Sequence, residues 1–126
     1  MVVILAHGYS CADCYNELNQ YVDRFRINPI VIIRDVDSPL SKRLVYKDLG
    51  RRLNKVEEFY FDLHEEIDPF PPDQITEGVF AIKKVKITPA ILILTKDGFS
   101  KLIPYEKLFK GSKGEINLET ISELLN

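Results

Sequence analysis

Cys11 and Cys14 are the residues of this chain whose type and spacing best suit a chemical reaction. They are its only cysteines, whereas a disulfide scaffold spreads several cysteines along the chain to close long loops. Their spacing also lets one thiol close onto a mixed disulfide formed by the other without rearrangement of the backbone. The pair therefore favours thiol–disulfide exchange, with metal binding or two inert thiols as the alternatives.

The residues around the pair predict a strand followed by a helix. Val2 to Ala6 is a continuous apolar run, typical of a strand that is buried on both faces. Ser10 offers an N-cap, and the apolar spacing after it predicts a helix over residues 11 to 26. Cys11 would then lie in the first turn, where the helix dipole favours a thiolate, and would be the exposed nucleophile. Cys14, one turn further in, would be the resolving thiol.

Two polar residues close to the cysteines could modulate this chemistry. The charge of Asp13 should oppose thiolate formation on Cys11, which predicts a reducing couple, although Asp13 could equally serve only to cap the helix. His7 could transfer protons to and from the thiols, or be a partly buried polar residue at a strand end. A zinc site formed by both cysteines, His7 and His64 lacks the second ligand pair that structural zinc usually needs. We therefore predict no metal.

The middle of the chain predicts a second strand and a further helix. Ile30 to Ile33 is another apolar, β-branched run, so strand, helix and strand form a βαβ unit with parallel strands. Ser38 and Pro39 fit the N-cap and first position of a helix, which Gly50 should weaken or divide. Residues 56 to 66 fit either a strand or a helix, and their neighbours slightly favour a helix.

The C-terminal half predicts a hairpin between two helices. Residues 74 to 84 have the spacing of a short helix, and the run from Ala90 to Thr95 predicts a buried strand. Lys96 to Gly98 is a hairpin turn signal, so Phe99 to Ile103 should pair with the preceding strand in antiparallel fashion. Asn117 can cap a last helix.

In this order of elements the chain resembles the thioredoxin-fold superfamily, which includes thioredoxins and glutaredoxins. The resemblance rests on the cysteine pair that opens a helix directly after a buried strand, and on Thr88-Pro89 at the start of a later strand. It implies an α/β fold: a mixed four-stranded sheet with helices on both faces, in one domain over residues 1–126. Residues 38–72 would be a helical insertion before the proline strand.

The resemblance also implies the reaction and its docking site. Thr88-Pro89 would be a cis peptide bond packed beside the cysteines, and its backbone would bind the substrate. Tyr9, which flanks the motif, joins this substrate-binding surface unless it serves only packing. The implied activity is that of a reductase-like thiol–disulfide oxidoreductase with catalytic Cys11 and Cys14. It needs no cofactor, only an electron-donating reductase and a protein or small-molecule disulfide as substrate, glutathione included. The alternative is a non-catalytic thioredoxin-fold module that binds a partner at the Pro89 edge.

Composition narrows the remaining classes. Hydrophobic residues make up 45% of the chain and charged residues 29%, an ordinary balance for a globular domain. The net charge of -2 does not suggest the basic surface that nucleic-acid binding needs. The N-terminal apolar run is too short for a signal peptide, and no stretch approaches the roughly 18 apolar residues of a membrane helix. We therefore expect a cytoplasmic protein that binds neither nucleic acid nor membrane.

Overall fold

Strands and helices alternate along the chain in the computed structural model, which describes residues 1–8, 12–34, 38–62, 78–98, 100–110 and 115–116. In chain order the elements are β1 (Val2–Ala6), α1 (Ala12–Arg24), β2 (Ile30–Ile33), α2 (Pro39–Arg52), β3 (Glu58–Phe61), α3 (Val79–Ile82), β4 (Ala90–Leu94), β5 (Ser100–Ile103), α4 (Tyr105–Leu108), β6 (Phe109–Lys110) and β7 (Glu115–Ile116). The start of the predicted 74–84 helix and the predicted last helix lie outside these residues.

The described strands form a five-stranded mixed sheet in the order β3-β2-β1-β4-β5, beside a small β6-β7 pair. The central strand β1 runs parallel to β2 and antiparallel to β4. Its apolar run is explained by this central place, because both of its faces are covered and both of its edges are paired. The expected α/β class with a mixed sheet is confirmed. The expected count of four strands is wrong, because β3 adds a fifth strand beside β2.

Strand β3 also corrects the prediction for residues 56 to 66, which slightly favoured a helix. Glu58–Phe61 pairs in parallel with β2, and Tyr60 lies opposite Ile32. Side chains along β3 alternate between exposed and half-buried, which is the period of a strand at the edge of a sheet. Aromatic residues favour such a half-buried pleated surface. Residues 38–62 therefore contribute a helix and a strand rather than a helical insertion.

Side chains that alternate along β1 feed two separate clusters, one on each face of the sheet. On one face Ile4 and Ala6 pack with residues of α1, α2 and α4. On the other face Val3 and Leu5 pack with Phe80 of α3 and with residues of β4. The described helices thus cover both faces of the sheet, as expected.

Helix α2 begins where the sequence indicates. The side chain of Ser38 accepts a hydrogen bond from the Ser41 N–H at 3.1 Å, and Pro39 is the first helical residue. Gly50 lies within the helix, which runs on to Arg52 without a break. None of the helices in the described ranges is long and apolar enough to cross a membrane.

The carboxylate of Asp62, directly after β3, holds the start of α3. It accepts the N–H of Val79 at 2.8 Å and the N–H of Phe80 at 2.9 Å. The Asp62 N–H in turn donates to the Ile33 carbonyl at 2.7 Å, which extends the pairing of β3 with β2. A Cβ atom on Gly78 would lie 2.6 Å from one carboxylate oxygen, so any larger residue here would force the carboxylate to shift. Asp62 thus connects the edge of the sheet to the helix that precedes β4.

Candidate functional site

The candidate site lies where β1 ends and α1 begins. Two of its predicted residues, Tyr9 and Cys11, lie outside the described residues. Cys14 is in the first turn of α1, is 0% exposed and is disulfide-bonded. The sequence contains a single other cysteine, Cys11, to pair with it. Asp13 is in the same turn and is exposed, so its carboxylate is available both to solvent and to the helix N-terminus.

Tyr15 fixes the two ends of the segment that carries the motif. Its hydroxyl accepts the His7 N–H at 2.8 Å and donates to the His7 carbonyl at 3.0 Å, while its ring is buried in the core. These two bonds join the end of β1 to the first turn of α1. Gly8 contributes to the same junction, because a Cβ there would approach the side chain of Val45 of α2 to 2.6 Å. The backbone on either side of residues 9–11 is therefore held in place.

Tyr105 of α4 contacts the sulfur of Cys14. The two atoms, Tyr105 Oη and Cys14 Sγ, are 3.6 Å apart, within the range of a hydrogen bond to sulfur. A disulfide sulfur carries no hydrogen, so the tyrosine hydroxyl is the donor. The sequence does not point to this residue as a contact of Cys14, because the two partners are 91 positions apart and no local pattern links them. One sequence feature could have indicated Tyr105: Pro104 follows the hairpin strand and can start a helix, and the aromatic Tyr105 would then be the first residue of that helix.

The Thr88–Pro89 peptide bond is cis, which agrees with the expectation from the resemblance. Ala90 pairs with Leu5 in the antiparallel ladder, so β4 starts at the same end of the sheet at which β1 ends. The side chains of Thr88 and Pro89 are buried, whereas Ile87 before them is 59% exposed. The exposed side chain next to this bond is thus Ile87, a residue that no sequence pattern marks as part of the site.

The environment of His7 disfavours its charged form. Burial lowers the pKa of the imidazole below 6.5, and the positive charge of Arg34 lowers it further. Arg34 directly follows β2, and its N–H donates to the Ala6 carbonyl at 2.8 Å. The parallel pairing of β1 with β2 therefore brings the guanidinium side chain towards the imidazole. The environment therefore favours the neutral imidazole, which is the form that can accept a proton.

This lowered pKa predicts the pH dependence of stability. As the pH falls below 6.5, the unfolded chain binds a proton at this histidine before the folded protein does. The stability is therefore fully present above that pH and decreases as the pH falls through the lower pKa of the folded state. We expect His7→Gln to flatten this decrease, measured by urea unfolding at pH values on both sides of 6.5. Arg34→Gln should flatten it only in part, because burial is the larger cause. Parallel curves for the wild type and His7→Gln would contradict the assignment.

The zinc hypothesis involves four residues, of which the structure describes His7 and Cys14. In the ranges that it describes, no group of three or more histidine, cysteine, aspartate or glutamate residues is arranged to hold a metal ion.

In the comparisons with known proteins, no family model, curated protein or solved structure matches the chain.

Proposed function

We propose that this protein is a thiol–disulfide oxidoreductase of thioredoxin-like fold, in which Cys11 and Cys14 cycle between a dithiol and a disulfide. The observation that carries the proposal is the disulfide-bonded Cys14 in the first turn of α1, directly after the central strand of the sheet. A cysteine pair at a helix N-terminus is acidified by the helix dipole, and the thiolate is the species that attacks a disulfide. The cis Thr88–Pro89 bond and the start of β4 lie at the same end of the sheet as the end of β1, which supports the thioredoxin-like arrangement.

The burial of Cys14 sets the roles of the two cysteines in the proposed reaction. Cys14 is 0% exposed, so it cannot be the sulfur that meets a substrate in solution. The Cys11 thiolate attacks one substrate sulfur, the substrate S–S bond breaks, and the first substrate thiol leaves with a proton from water. The Cys14 thiolate then attacks the Cys11 sulfur, and the second substrate thiol leaves. Two electrons pass from the protein dithiol to the substrate, and a dithiol reductant restores them.

The surface beside the site suits an extended peptide that binds on the outside of the protein better than a ligand enclosed in a pocket. Ile87 offers an exposed apolar side chain directly before the buried Thr88 and Pro89. Apolar exposure next to a strand start suits a peptide that pairs with backbone and places a side chain on Ile87. A disulfide-bonded protein or peptide fits this surface, and glutathione is the small-molecule candidate. A reducing compartment such as the cytoplasm would supply the protein in its dithiol form.

The proposal is tested by equilibrating the protein in graded dithiol–disulfide buffers and trapping its free thiols with a mass tag. We expect one two-electron transition between about -180 and -300 mV, the range of working oxidoreductases. Cys14→Ser removes the resolving thiol, so it should accumulate a mixed disulfide between Cys11 and a substrate such as insulin. The control is the double variant Cys11→Ser/Cys14→Ser, which should trap nothing.

Two results would overturn this proposal. The first is the absence of any redox transition in the wild-type protein. The second is a Cys14→Ser protein that traps no more of the disulfide substrate than the double variant does. Either result would leave a binding module at the Pro89 edge as the better description.

A further inference from the structure

Tyr105 is a residue outside the cysteine motif whose side chain contacts the sulfur of Cys14. Its hydroxyl lies 3.6 Å from Cys14 Sγ, the atom that gains or loses a bond in each half of the proposed cycle. Its ring is half-buried and packs against Phe109 with 5.2 Å between the ring centroids. The side chain is therefore fixed by packing, and its polar end points at the buried sulfur.

The short helix α4 gives Tyr105 this fixed position. The N–H groups of Lys107 and Leu108 both donate to the Pro104 carbonyl at 3.0 Å, which closes the first turn. Leu108 and Phe109, at 0% and 3% exposure, anchor the end of α4 in the same cluster as Cys14. α4 begins with Tyr105, a single residue after β5 ends. The position of Tyr105 is therefore set by the end of a sheet strand. A hydroxyl held in this way can donate a hydrogen bond to a charge that develops on the sulfur with little reorganisation.

We propose that Tyr105 is a catalytic residue that stabilises the Cys14 thiolate by hydrogen bonding. This inference rests on the proposed function, in which Cys14 is the sulfur released when the protein disulfide is reduced. In that step a reductant thiolate attacks Cys11 Sγ, the Cys11–Cys14 bond breaks, and its electron pair leaves on Cys14. The tyrosine O–H donates to this new thiolate and keeps its own proton. A second reductant thiol then displaces Cys11, and water supplies the protons.

The burial of Cys14 explains why this donor matters. An ionised sulfur without solvent pays a desolvation cost, and a hydrogen bond to a charged group contributes about twice as much as one to a neutral group. The same hydroxyl therefore stabilises the thiolate more than it stabilises the disulfide. Its effect is to favour the reduced protein and to make Cys14 a better leaving group. The local sequence around the cysteines does not reveal this residue.

Tyr105→Phe removes the hydroxyl and keeps the ring against Phe109. We expect the equilibrium constant for reduction of the protein by a dithiol to fall about tenfold, or about 30 mV towards more negative potential. Disulfide opening by dithiothreitol should slow by a similar factor. The matched control is Tyr21→Phe, since Tyr21 is a half-buried tyrosine of α1 that stacks on Phe25. It should leave both the potential and the rate unchanged.

A second measurement separates this inference from the proposed function. In Cys11→Ser protein, Cys14 is the single thiol, and its thiolate can be followed by ultraviolet absorbance against Cys11→Ser/Cys14→Ser protein as a blank. Adding Tyr105→Phe should lower the thiolate fraction at a fixed, mildly alkaline pH, corresponding to an ionisation constant about tenfold smaller. This result is expected whether or not the wild-type protein turns over a substrate.

The outcomes are distinct. An unchanged potential and an unchanged thiolate fraction in the Tyr105→Phe proteins would overturn the role of Tyr105, even if the protein reduces disulfides. A smaller thiolate fraction in a protein without a redox transition would support Tyr105 and reject the oxidoreductase. If Tyr105→Phe fails to fold, fluorotyrosine at position 105 is the substitute, because its stronger O–H donor should shift the potential in the opposite, positive direction.

Discussion

Asp62→Ala should lower the free energy of unfolding by about 2–4 kcal/mol, because it removes the acceptor of two backbone N–H groups at once. The N–H groups of Val79 and Phe80 point at this carboxylate at 2.8 and 2.9 Å, and the Phe80 bond is buried. A four-residue helix has few internal bonds that could compensate. The expected result is a lower urea midpoint with an unchanged slope of the transition. Asp23→Ala, at an exposed aspartate of α1, is the control and should change stability by less than about 0.5 kcal/mol.

Gly78 provides an independent check on the same contact. Gly78→Ala brings a Cβ against the carboxylate, which must leave its two N–H partners to make room. It should therefore destabilise the wild type, but should have a much smaller effect in the Asp62→Ala background. A double-mutant cycle measures this difference. Additive effects of the two substitutions would contradict the described contact between Asp62 and Gly78.

Leu49→Ala should lower the free energy of unfolding by about 3–4 kcal/mol, because it removes a fully buried side chain and leaves a cavity. Leu49 is 0% exposed and lies in the cluster between α2 and the sheet. Leu44, one helical turn and one residue earlier on α2, is 59% exposed and supplies a matched control. Leu44→Ala should change stability by less than about 0.5 kcal/mol. Denaturant unfolding of both variants gives the comparison.

The reverse ranking of these two leucines would show that α2 presents its other face to the sheet. Equal, large losses would show that the surface around Leu44 is also covered in solution. The expected ranking instead supports the described orientation of α2, in which Val45 and Leu49 face the core and Leu40 and Leu44 face outward.

The strands at the centre of the sheet could be predicted from the sequence because burial on both faces leaves a continuous apolar run. Val2–Ala6, Ile30–Ile33 and Ala90–Leu94 all show this pattern and lie within one residue of the predicted bounds. The start of α2 was equally predictable, because Ser38 and Pro39 act on their own backbone neighbours. In both cases the signal is local to the residues that form the element.

The edge strand and the two long-range polar contacts could not be predicted in the same way. Glu58–Phe61 has an ambiguous pattern, and its pairing partner β2 decides that it is a strand. Asp62 contacts residues 17 and 18 positions later, and Tyr105 contacts a cysteine 91 positions earlier. No periodicity encodes such contacts, because the tertiary fold brings the partners together. The cysteine pair could be recognised as a candidate site from the sequence, whereas its hydrogen-bond donor Tyr105 could be identified only in the folded structure.

The contact between Asp62 and the start of α3 has a consequence for how this chain can change in length. The carboxylate holds together the two ends of the connection between residues 62 and 78, so the position of α3 is fixed at those ends. The entropy of closing a connection grows slowly with its length, by only about 0.6 kcal/mol for each doubling. Insertions between Asp62 and Gly78 should therefore leave α3 and the strand beyond it in register, which makes this connection the natural place to accept foreign sequence during evolution or in a fusion protein.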